Sequence, residues 1–208
     1  MCEKEKVSKE QLILEAAEQE FFSKGYAGAR TISIAEHAGV THAMLHYYYR
    51  TKEQLFDCVV DKNISQIATT LLSVLGKPDM PLLSRLKESI STHFDLVANN
   101  PLLPRFVMNE IMTRPERCTK IYDKLMTQAN EIFDKTQVEI DEASKRGEIE
   151  WIDARMLFIS ILSLNIFPFV AYSFAEDIMN NLITDPKTFL EKRKAENINL
   201  IMRRITKR

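Results

Sequence analysis

Turn-forming residues are scarce in this chain, and their scarcity limits the folds that it can adopt. The 208 residues include five glycines, at positions 25, 28, 39, 76 and 147, and seven prolines. All-β proteins and multi-strand α/β folds need many tight turns between short elements. Between the turn residues of this chain, apolar residues recur at helical spacing and do not alternate convincingly. We therefore expect an all-α protein.

Residues 156–175 contain no charged residue, and twenty positions is the length of a transmembrane helix. The run includes polar residues and Pro168, however, and no lysine or arginine cluster lies directly beside either end. The chain is 45% hydrophobic and 27% charged, which is the profile of a soluble globular protein. The sequence therefore favours a buried or interface helix over a membrane span.

Helical segments can be traced from apolar periodicity and from the residues that cap or interrupt them. The N-terminal part predicts a helix that ends at Lys24-Gly25, then a short helix from Ile32 to Ala38 with Thr31 or Ser33 as a possible cap. A second short helix is predicted from His42 to Tyr49. The longer helices predicted beyond it are 52–75, 82–99, 101–112, 116–145, 153–179 and 186–208.

Two short helices joined at Gly39, the second with Thr41 as a candidate N-cap, have the form of a helix-turn-helix. No acidic residue occurs from Gly39 to Lys52. Side chains with hydrogen-bond donors and aromatic surface suit DNA phosphates and base edges. If Val40, Leu45 and Tyr49 face the core, the exposed face of the second helix carries His42, Ala43, Met44, His46 and Tyr47.

Residues 13–56 resemble the N-terminal DNA-binding domain of the TetR family of bacterial transcriptional regulators. The matching pieces, in the family's order and spacing, are Ile13/Ala16/Ala17/Phe21, Gly25-Tyr26, Ile34-Ala35, Ala38-Gly39-Val40, Leu45, Tyr48-Tyr49 and Lys52-Glu53-Leu55-Phe56. The resemblance implies an N-terminal three-helix helix-turn-helix DNA-binding domain and a larger C-terminal helical ligand-binding and dimerisation domain. We expect these two domains at 1–52 and 53–208.

The resemblance also implies double-stranded DNA as a partner and roles for individual residues. Base-reading positions would lie early in the recognition helix, and phosphate-binding positions at its end, at Lys52 and at the start of the preceding helix. The expected DNA-binding residues are Thr31, Thr41, His42, Ala43, Met44, His46, Tyr47, Tyr48 and Lys52. The chain departs from the family at His42, where lysine is common, at His46, where tyrosine is common, and at Ile32, where a polar residue is usual and sometimes reads a base. The operator sequence therefore cannot be borrowed from a relative.

In the family, the C-terminal half binds a small ligand and forms a dimer through its last two long helices. We expect a homodimer through residues 153–179 and 186–208. Four residues of the last helix have the helical spacing that suits a four-helix interface: Leu190, Ile198, Ile201 and Ile205. A dimer would place the recognition helices about 34 Å apart on a palindromic operator. Most members are repressors released by a small-molecule effector. Candidate pocket residues are His93, Phe94, Phe106, Asn109, Met112, Tyr122, Met126, Phe133, Asn165 and Phe167, although such a stripe of aromatic and methionine residues on helices is more often core.

Other functions find less support in the sequence. No catalytic motif is present, so we expect neither an enzyme nor a cofactor. His42 and His46 share a helix face, but no further metal ligand is visible nearby, and we expect no metal. The three cysteines are widely spaced and form no C-x-x-C pair, which argues against a disulfide framework, so we expect a cytoplasmic protein in a reducing compartment. The alternative is a helical interaction or membrane-associated protein whose helix-turn-helix does not bind DNA.

Overall fold

The computed structural model describes residues 8–77, 79–113, 115–171 and 185–207, and it confirms the all-α fold. Helices lie at α1 (Lys9–Gly28), α2 (Thr31–His37), α3 (His42–Tyr48), α4 (Lys52–Leu75), α5 (Leu82–Asn99), α6 (Leu103–Val107), α7 (Pro115–Lys145), α8 (Ala154–Val170) and α9 (Pro186–Ile205). A π-helix, Met108–Met112, follows α6 directly. The described residues contain no β-strand.

The chain divides into two compact units. Unit 1 comprises residues 1–65 and 106–121, and unit 2 comprises residues 66–105 and 122–208. The predicted domain boundary at 52/53 falls at the first turn of α4, which continues through it without a break. The assignment of a DNA-binding domain to 1–52 and a ligand-binding domain to 53–208 stays a prediction.

The core of unit 1 is aromatic at its centre. Phe21 and Phe56 are fully buried and meet edge to face with 5.0 Å between ring centroids. Phe106 approaches Phe22 at 4.7 Å and Phe56 at 5.5 Å, which ties the 106–121 segment to α1 and α4. Burying such rings stabilises the unit through both apolar area and edge-to-face geometry.

Helix α1 extends to Gly28, but its regular path is interrupted where the sequence predicts the end of a helix. Gly25 adopts φ 67° and ψ 176°, a conformation that side chains with a Cβ disfavour. A Cβ at this position would also lie 2.6 Å from Oε1 of Glu110 in the π-helix. Glycine at position 25 therefore permits both the change in chain direction and the close approach of the π-helix.

The core of unit 2 is formed where α5, α7, α8 and α9 bury their apolar faces. Its buried residues include Leu86, Ile90, Ile140, Leu157, Ile161, Ile201 and Ile205. Arg85 is buried beside this core, where its guanidinium donates to the carbonyl oxygen of Leu75 at 3.0 Å and pairs with Glu139. The prediction that Ile201 and Ile205 form a dimer interface is therefore wrong, because both are buried within their own subunit.

Helix α8 begins after Asp153, whose carboxylate accepts a hydrogen bond from the N–H of Met156 at 2.9 Å. The helix buries one face, but it also exposes apolar residues at helical spacing on the other. We call this exposed set the α8 stripe: Met156, Ile159, Phe167 and Val170. The end of the predicted 153–179 segment, from residue 172, lies outside the described residues.

Candidate nucleic-acid interface

The turn between α2 and α3 is built from local hydrogen bonds. The N–H of Gly39 donates to the carbonyl of Glu36 at 3.1 Å, and the N–H of Val40 donates to the carbonyl of Ala35 at 3.0 Å. Gly39 adopts φ 64°, the left-handed conformation that closes a helix C-terminus. A Cβ on Gly39 would meet no atom within 4 Å among the described residues, so only the backbone conformation requires glycine here.

Thr41 caps α3 as the sequence predicts. Its hydroxyl oxygen accepts a hydrogen bond from the N–H of Met44 at 3.2 Å. The predicted cap of α2 is wrong, since Thr31 is the first helical residue and the N-cap position is held by Arg30 without a side-chain hydrogen bond. Thr31 therefore has its hydroxyl available for another partner.

Burial divides α3 into two faces. Leu45 and the following Tyr49 are buried against the core of unit 1. The outward side chains are those of His42, Ala43, His46 and Tyr47, with Met44 and Tyr48 half-buried at the edges. Tyr47 is 82% exposed, which is unusual for an aromatic side chain that serves the subunit's own core. An outward face of this kind suits contact with another molecule.

The starts of α2 and α3 meet at a hydrogen bond between side chains. Oγ1 of Thr31 lies 3.1 Å from Nε2 of His42. The His42 ring also contacts the His46 ring edge to face, with 4.4 Å between centroids. These contacts join three of the predicted DNA-binding residues into one exposed polar cluster.

Lys52 lies at the start of α4. There the hydroxyl oxygen of Thr51 accepts a hydrogen bond from the N–H of Gln54 at 3.0 Å, and Oε1 of Gln54 accepts one from the N–H of Arg50 at 3.1 Å. The Nζ atom of Lys52 lies 4.7 Å from the centre of the Tyr26 ring. A cation over an aromatic face is held in place without an acidic partner. Sequence reasoning missed this role of Tyr26, since only the fold shows that residues 26 and 52 meet.

Glu20 fixes the backbone just before α2. Its carboxylate accepts hydrogen bonds from Nζ of Lys24 at 2.9 Å and from the N–H of Arg30 at 3.3 Å. Burial raises the pKa of Glu20, but the hydrogen bonds and charge of Lys24 and the Arg30 N–H outweigh burial and hold that pKa below its usual value. The ionised form is therefore the one that supports the start of α2.

The predicted pocket residues are distributed over both units. Phe106, Asn109 and Met112 belong to unit 1, where the last two are exposed. Tyr122 has a side chain outside the described part of the structure. In unit 2, the side chains of four predicted pocket residues are buried: His93, Phe94, Phe133 and Asn165. Met126 is half-buried, and Phe167 is 62% exposed. A groove of about 340 Å³ between Leu82 and Ile149 is lined by none of them.

His93 and Asn165 do come together, inside unit 2. Nδ2 of Asn165 donates to the carbonyl of Ile90 at 2.9 Å and lies 3.1 Å from Nδ1 of His93. Nδ2 of Asn197 donates to Oδ1 of Asn165 at 2.9 Å. Burial lowers the pKa of His93 to about 4. The three side chains form a buried polar network that joins α5, α8 and α9.

Alternative sites in the described residues have little support. No group of three or more potential metal ligands occurs there, so His42 and His46 have no further ligand in that part of the chain. Burial and nearby carboxylates raise the pKa of Cys58, which disfavours the reactive thiolate. No helix within the described ranges is long and apolar enough to cross a membrane.

Residues 13–59 match the family described as bacterial regulatory proteins, tetR family. The chain is 28% identical over 156 residues to the HTH-type transcriptional regulator RutR of Escherichia coli (strain K12). That alignment covers 74% of this chain and 70% of RutR. It is 23% identical over 155 residues to the HTH-type transcriptional activator FasR of Mycolicibacterium smegmatis, covering 74% and 67% of the two chains. These relatives are regulators, which confirms the prediction of a non-enzymatic protein.

The fold is shared with solved structures over nearly the whole chain. The transcriptional regulator FadR of Bacillus subtilis, solved in complex with stearoyl-CoA, superimposes with a TM-score of 0.66 at 21% identity. The alignment covers 93% of this chain and 97% of FadR. The predicted resemblance to the family is thus confirmed by the match over the helix-turn-helix. For the remainder of the chain, the solved structures show a shared fold.

Proposed function

We propose that this chain, which belongs to the TetR family of bacterial regulatory proteins, is a cytoplasmic repressor that binds a palindromic operator as a homodimer and is released by a small-molecule effector. The observation that carries the proposal is the outward face of α3. That face presents histidine and tyrosine side chains with no acidic residue from Gly39 to Lys52. Such a surface suits the negatively charged major groove.

The expected DNA contacts fall into two kinds. Thr31, Tyr47, Tyr48 and Lys52 would bind phosphates and thereby set the position of α3. Base edges would be read by His42, Ala43 and Met44 at the start of α3, and Thr41 and His46 would contact the DNA beside them. Phosphate contacts position a protein on DNA, whereas base contacts select the sequence.

The α8 stripe supports dimerisation. Ile159 is 54% exposed and Phe167 is 62% exposed, yet both belong to a helix whose opposite face is buried in unit 2. A helix that is apolar on all sides requires a second apolar surface. A second copy of the chain provides that surface if α8 and α9 of each subunit pack as a four-helix interface.

Replacing Ile159 by glutamate should disrupt the dimer. Two-fold symmetry would bury the new carboxylate twice, once from each subunit, and Arg155, one helical turn away, is already paired with Asp134 at 2.8 Å. We expect the dissociation constant of the dimer to rise at least about tenfold, seen by sedimentation as a shift toward the chain mass of 24.1 kDa. Val138→Glu, at a position of 57% exposure on α7, is the matched control and should leave the mass unchanged.

Effector control would act through a shift between two populations of the dimer. Helix α4 contributes residues 52–65 to unit 1 and residues 66–75 to unit 2, so it is shared by the two units. An effector bound by unit 2 would favour a state in which α4 tilts and the recognition helices no longer match the operator spacing. A decisive switch requires about 5 kcal/mol of differential affinity.

The experiment that tests the proposal is selection of duplexes from a random DNA pool by the purified chain at moderate salt. We expect enrichment of a palindrome whose half-sites lie about one helical turn apart. Affinity for that duplex should fall by orders of magnitude as salt rises severalfold. Failure to enrich any duplex, with or without candidate effectors, would favour a helical interaction protein.

The sign of regulation needs a separate experiment, in which the gene is deleted and expression of a reporter controlled by the operator is measured. A repressor predicts that expression rises, whereas loss of expression would identify an activator.

Two substitutions should separate phosphate binding from base reading. Lys52→Ala should weaken binding to all duplexes to a similar degree and reduce the salt slope by about one unit per subunit. His42→Ala should change the order of preference among duplexes, because it removes ring nitrogens from the outward face of α3. Both effects can be measured by fluorescence anisotropy on a panel of duplexes at several salt concentrations. Identical profiles for the two variants would contradict the assigned roles.

A further inference from the structure

Glu20 is a carboxylate buried inside unit 1. Its side chain is 3% exposed, and no other charged side chain is buried in the described part of that unit. Lys24, one turn later in α1, holds both carboxylate oxygens at 2.9 Å. An apolar side chain of similar volume often stabilises a buried position at least as well as a paired charge. The stability of α1 therefore does not by itself account for a carboxylate at position 20.

Glu20 also contacts the linker between α1 and α2, which consists of Ala29 and Arg30. Helix α1 holds the N–H group of each linker residue. The N–H of Ala29 donates to the carbonyl of Gly25 at 3.2 Å, a backbone contact that depends on no side chain. The N–H of Arg30 donates to Oε1 of Glu20 at 3.3 Å. A side-chain acceptor at position 20 is therefore what fixes Arg30.

The position of Arg30 sets the start of α2. Its carbonyl accepts the first hydrogen bond of that helix, from the N–H of Ile34 at 3.1 Å. Thr31 follows directly, and its hydroxyl oxygen lies 3.1 Å from Nε2 of His42. His42 is the first residue of α3. A short series of contacts thus runs from the interior of α1 to the start of α3.

We propose that Glu20 is a positioning residue for DNA binding: it holds the N–H of Arg30 and thereby places the residues that follow on the DNA-facing surface. The inference rests on the proposed function, in which Thr31 binds phosphate and His42 reads bases. The reach of the carboxylate carries this role, because its oxygen has to lie within hydrogen-bond distance of the N–H. Arg30 is exposed, so without that acceptor its N–H would donate to water and the linker would shift without unfolding the unit.

Two substitutions separate the reach of this side chain from its charge. Glu20→Gln keeps an oxygen at the same position along the side chain but removes the charge, and it should retain the wild-type affinity for the selected operator. Glu20→Asp keeps the charge but is one methylene shorter, so its oxygens no longer reach Arg30. It should weaken binding about fivefold in each half-site, the equivalent of one hydrogen bond, and about twenty-five-fold for the palindrome if the two effects add.

Dissociation constants are measured by anisotropy at a temperature where circular dichroism shows that every variant is folded. Under that condition a change in stability alone leaves the dissociation constant unchanged, so a loss of affinity distinguishes positioning from a merely structural role. Glu18→Asp is the matched control, since Glu18 lies on the same helix and pairs with Lys62 at 2.8 Å, and it should keep the wild-type affinity. Exchange of the Arg30 amide hydrogen, followed by NMR, should be faster in Glu20→Asp and unchanged in Glu20→Gln.

The outcomes separate this inference from the function on which it rests. If the wild-type chain enriches an operator and Glu20→Asp binds it equally well, the role of Glu20 alone is overturned. Equal losses in the Asp and Gln variants would also overturn it, because Glu20→Gln retains the acceptor. If Glu20→Asp does not fold, Glu20→Met takes its place, with an unbranched side chain of similar length, and the same loss is expected. A chain that enriches no duplex would overturn the proposed function and this role with it.

Discussion

Replacing Phe56 by alanine should lower the free energy of unfolding of unit 1 by about 3–5 kcal/mol. The ring is fully buried and lies 5.0 Å, centroid to centroid, from both Phe21 and Tyr26, and 5.5 Å from Phe106. Its removal would leave a cavity shared by α1, α4 and the 106–121 segment. Rings on several elements cannot all collapse into such a cavity, so the loss should be near the upper part of the range.

Urea unfolding followed by circular dichroism at 222 nm measures the effect. The chain has one tryptophan, Trp151 in unit 2, so tryptophan fluorescence follows the other unit separately. DNA binding should fall with the stability of unit 1. The control is Tyr47→Ala, which removes an 82% exposed ring and should change stability by no more than about 0.5 kcal/mol while weakening DNA binding. A loss below about 1 kcal/mol in Phe56→Ala would contradict the central role of this ring.

The helix-turn-helix could be predicted from the sequence because its signals are local. Gly39 with φ 64° and Thr41 with its bond to the N–H of Met44 both act within four residues of their own position. The inward direction of Leu45 and Tyr49 follows from helical spacing. The cap of α2 was harder, because Thr31 and Ser33 both have suitable side chains and the structure uses neither.

Contacts between distant segments could not be predicted. Periodicity shows which face of a helix is buried, but it does not show which other segment that face packs against. Ile201 and Ile205 have the spacing of an interface, and the same spacing serves equally well for the core that they join. Phe106 is an aromatic residue of the kind that lines ligand pockets, yet it packs against Phe22 and Phe56 in unit 1. The family resemblance predicted which helices form the dimer, whereas the exposure of the α8 stripe is seen only in the structure.

The buried polar network of unit 2 has energetic consequences of its own. Nδ2 of Asn165 is a donor, so Nδ1 of the neighbouring His93 must be an acceptor, which requires the neutral ring. A protonated ring would place two donors 3.1 Å apart between side chains that are almost fully buried. This arrangement agrees with burial, which lowers the pKa of His93 to about 4 from its usual value of 6.5.

The stability of unit 2 should therefore fall on acidification, with His93 as a principal cause. Well above pH 6.5 the ring is neutral in both the folded and the unfolded chain, and its contribution does not change with pH. Between pH 6.5 and about 4 the unfolded chain binds a proton that the folded chain does not, so stability is lost as pH falls. At pH 5 the loss due to His93 should be about 2 kcal/mol.

His93→Gln isolates this contribution, because a glutamine amide can still accept a hydrogen bond from Asn165 but takes up no proton. Urea unfolding followed by Trp151 fluorescence at pH 7.5 and pH 5 should show a smaller loss in the variant, by about 2 kcal/mol. The variant can be less stable than the wild type at pH 7.5 without affecting the comparison, because the difference between the two pH values is what measures the proton. Equal losses in the two proteins would mean that His93 is protonated in the folded chain as readily as in the unfolded one. In that case Asn165 would have to turn its amide so that Oδ1 faces the ring, and its bond from Asn197 would be lost.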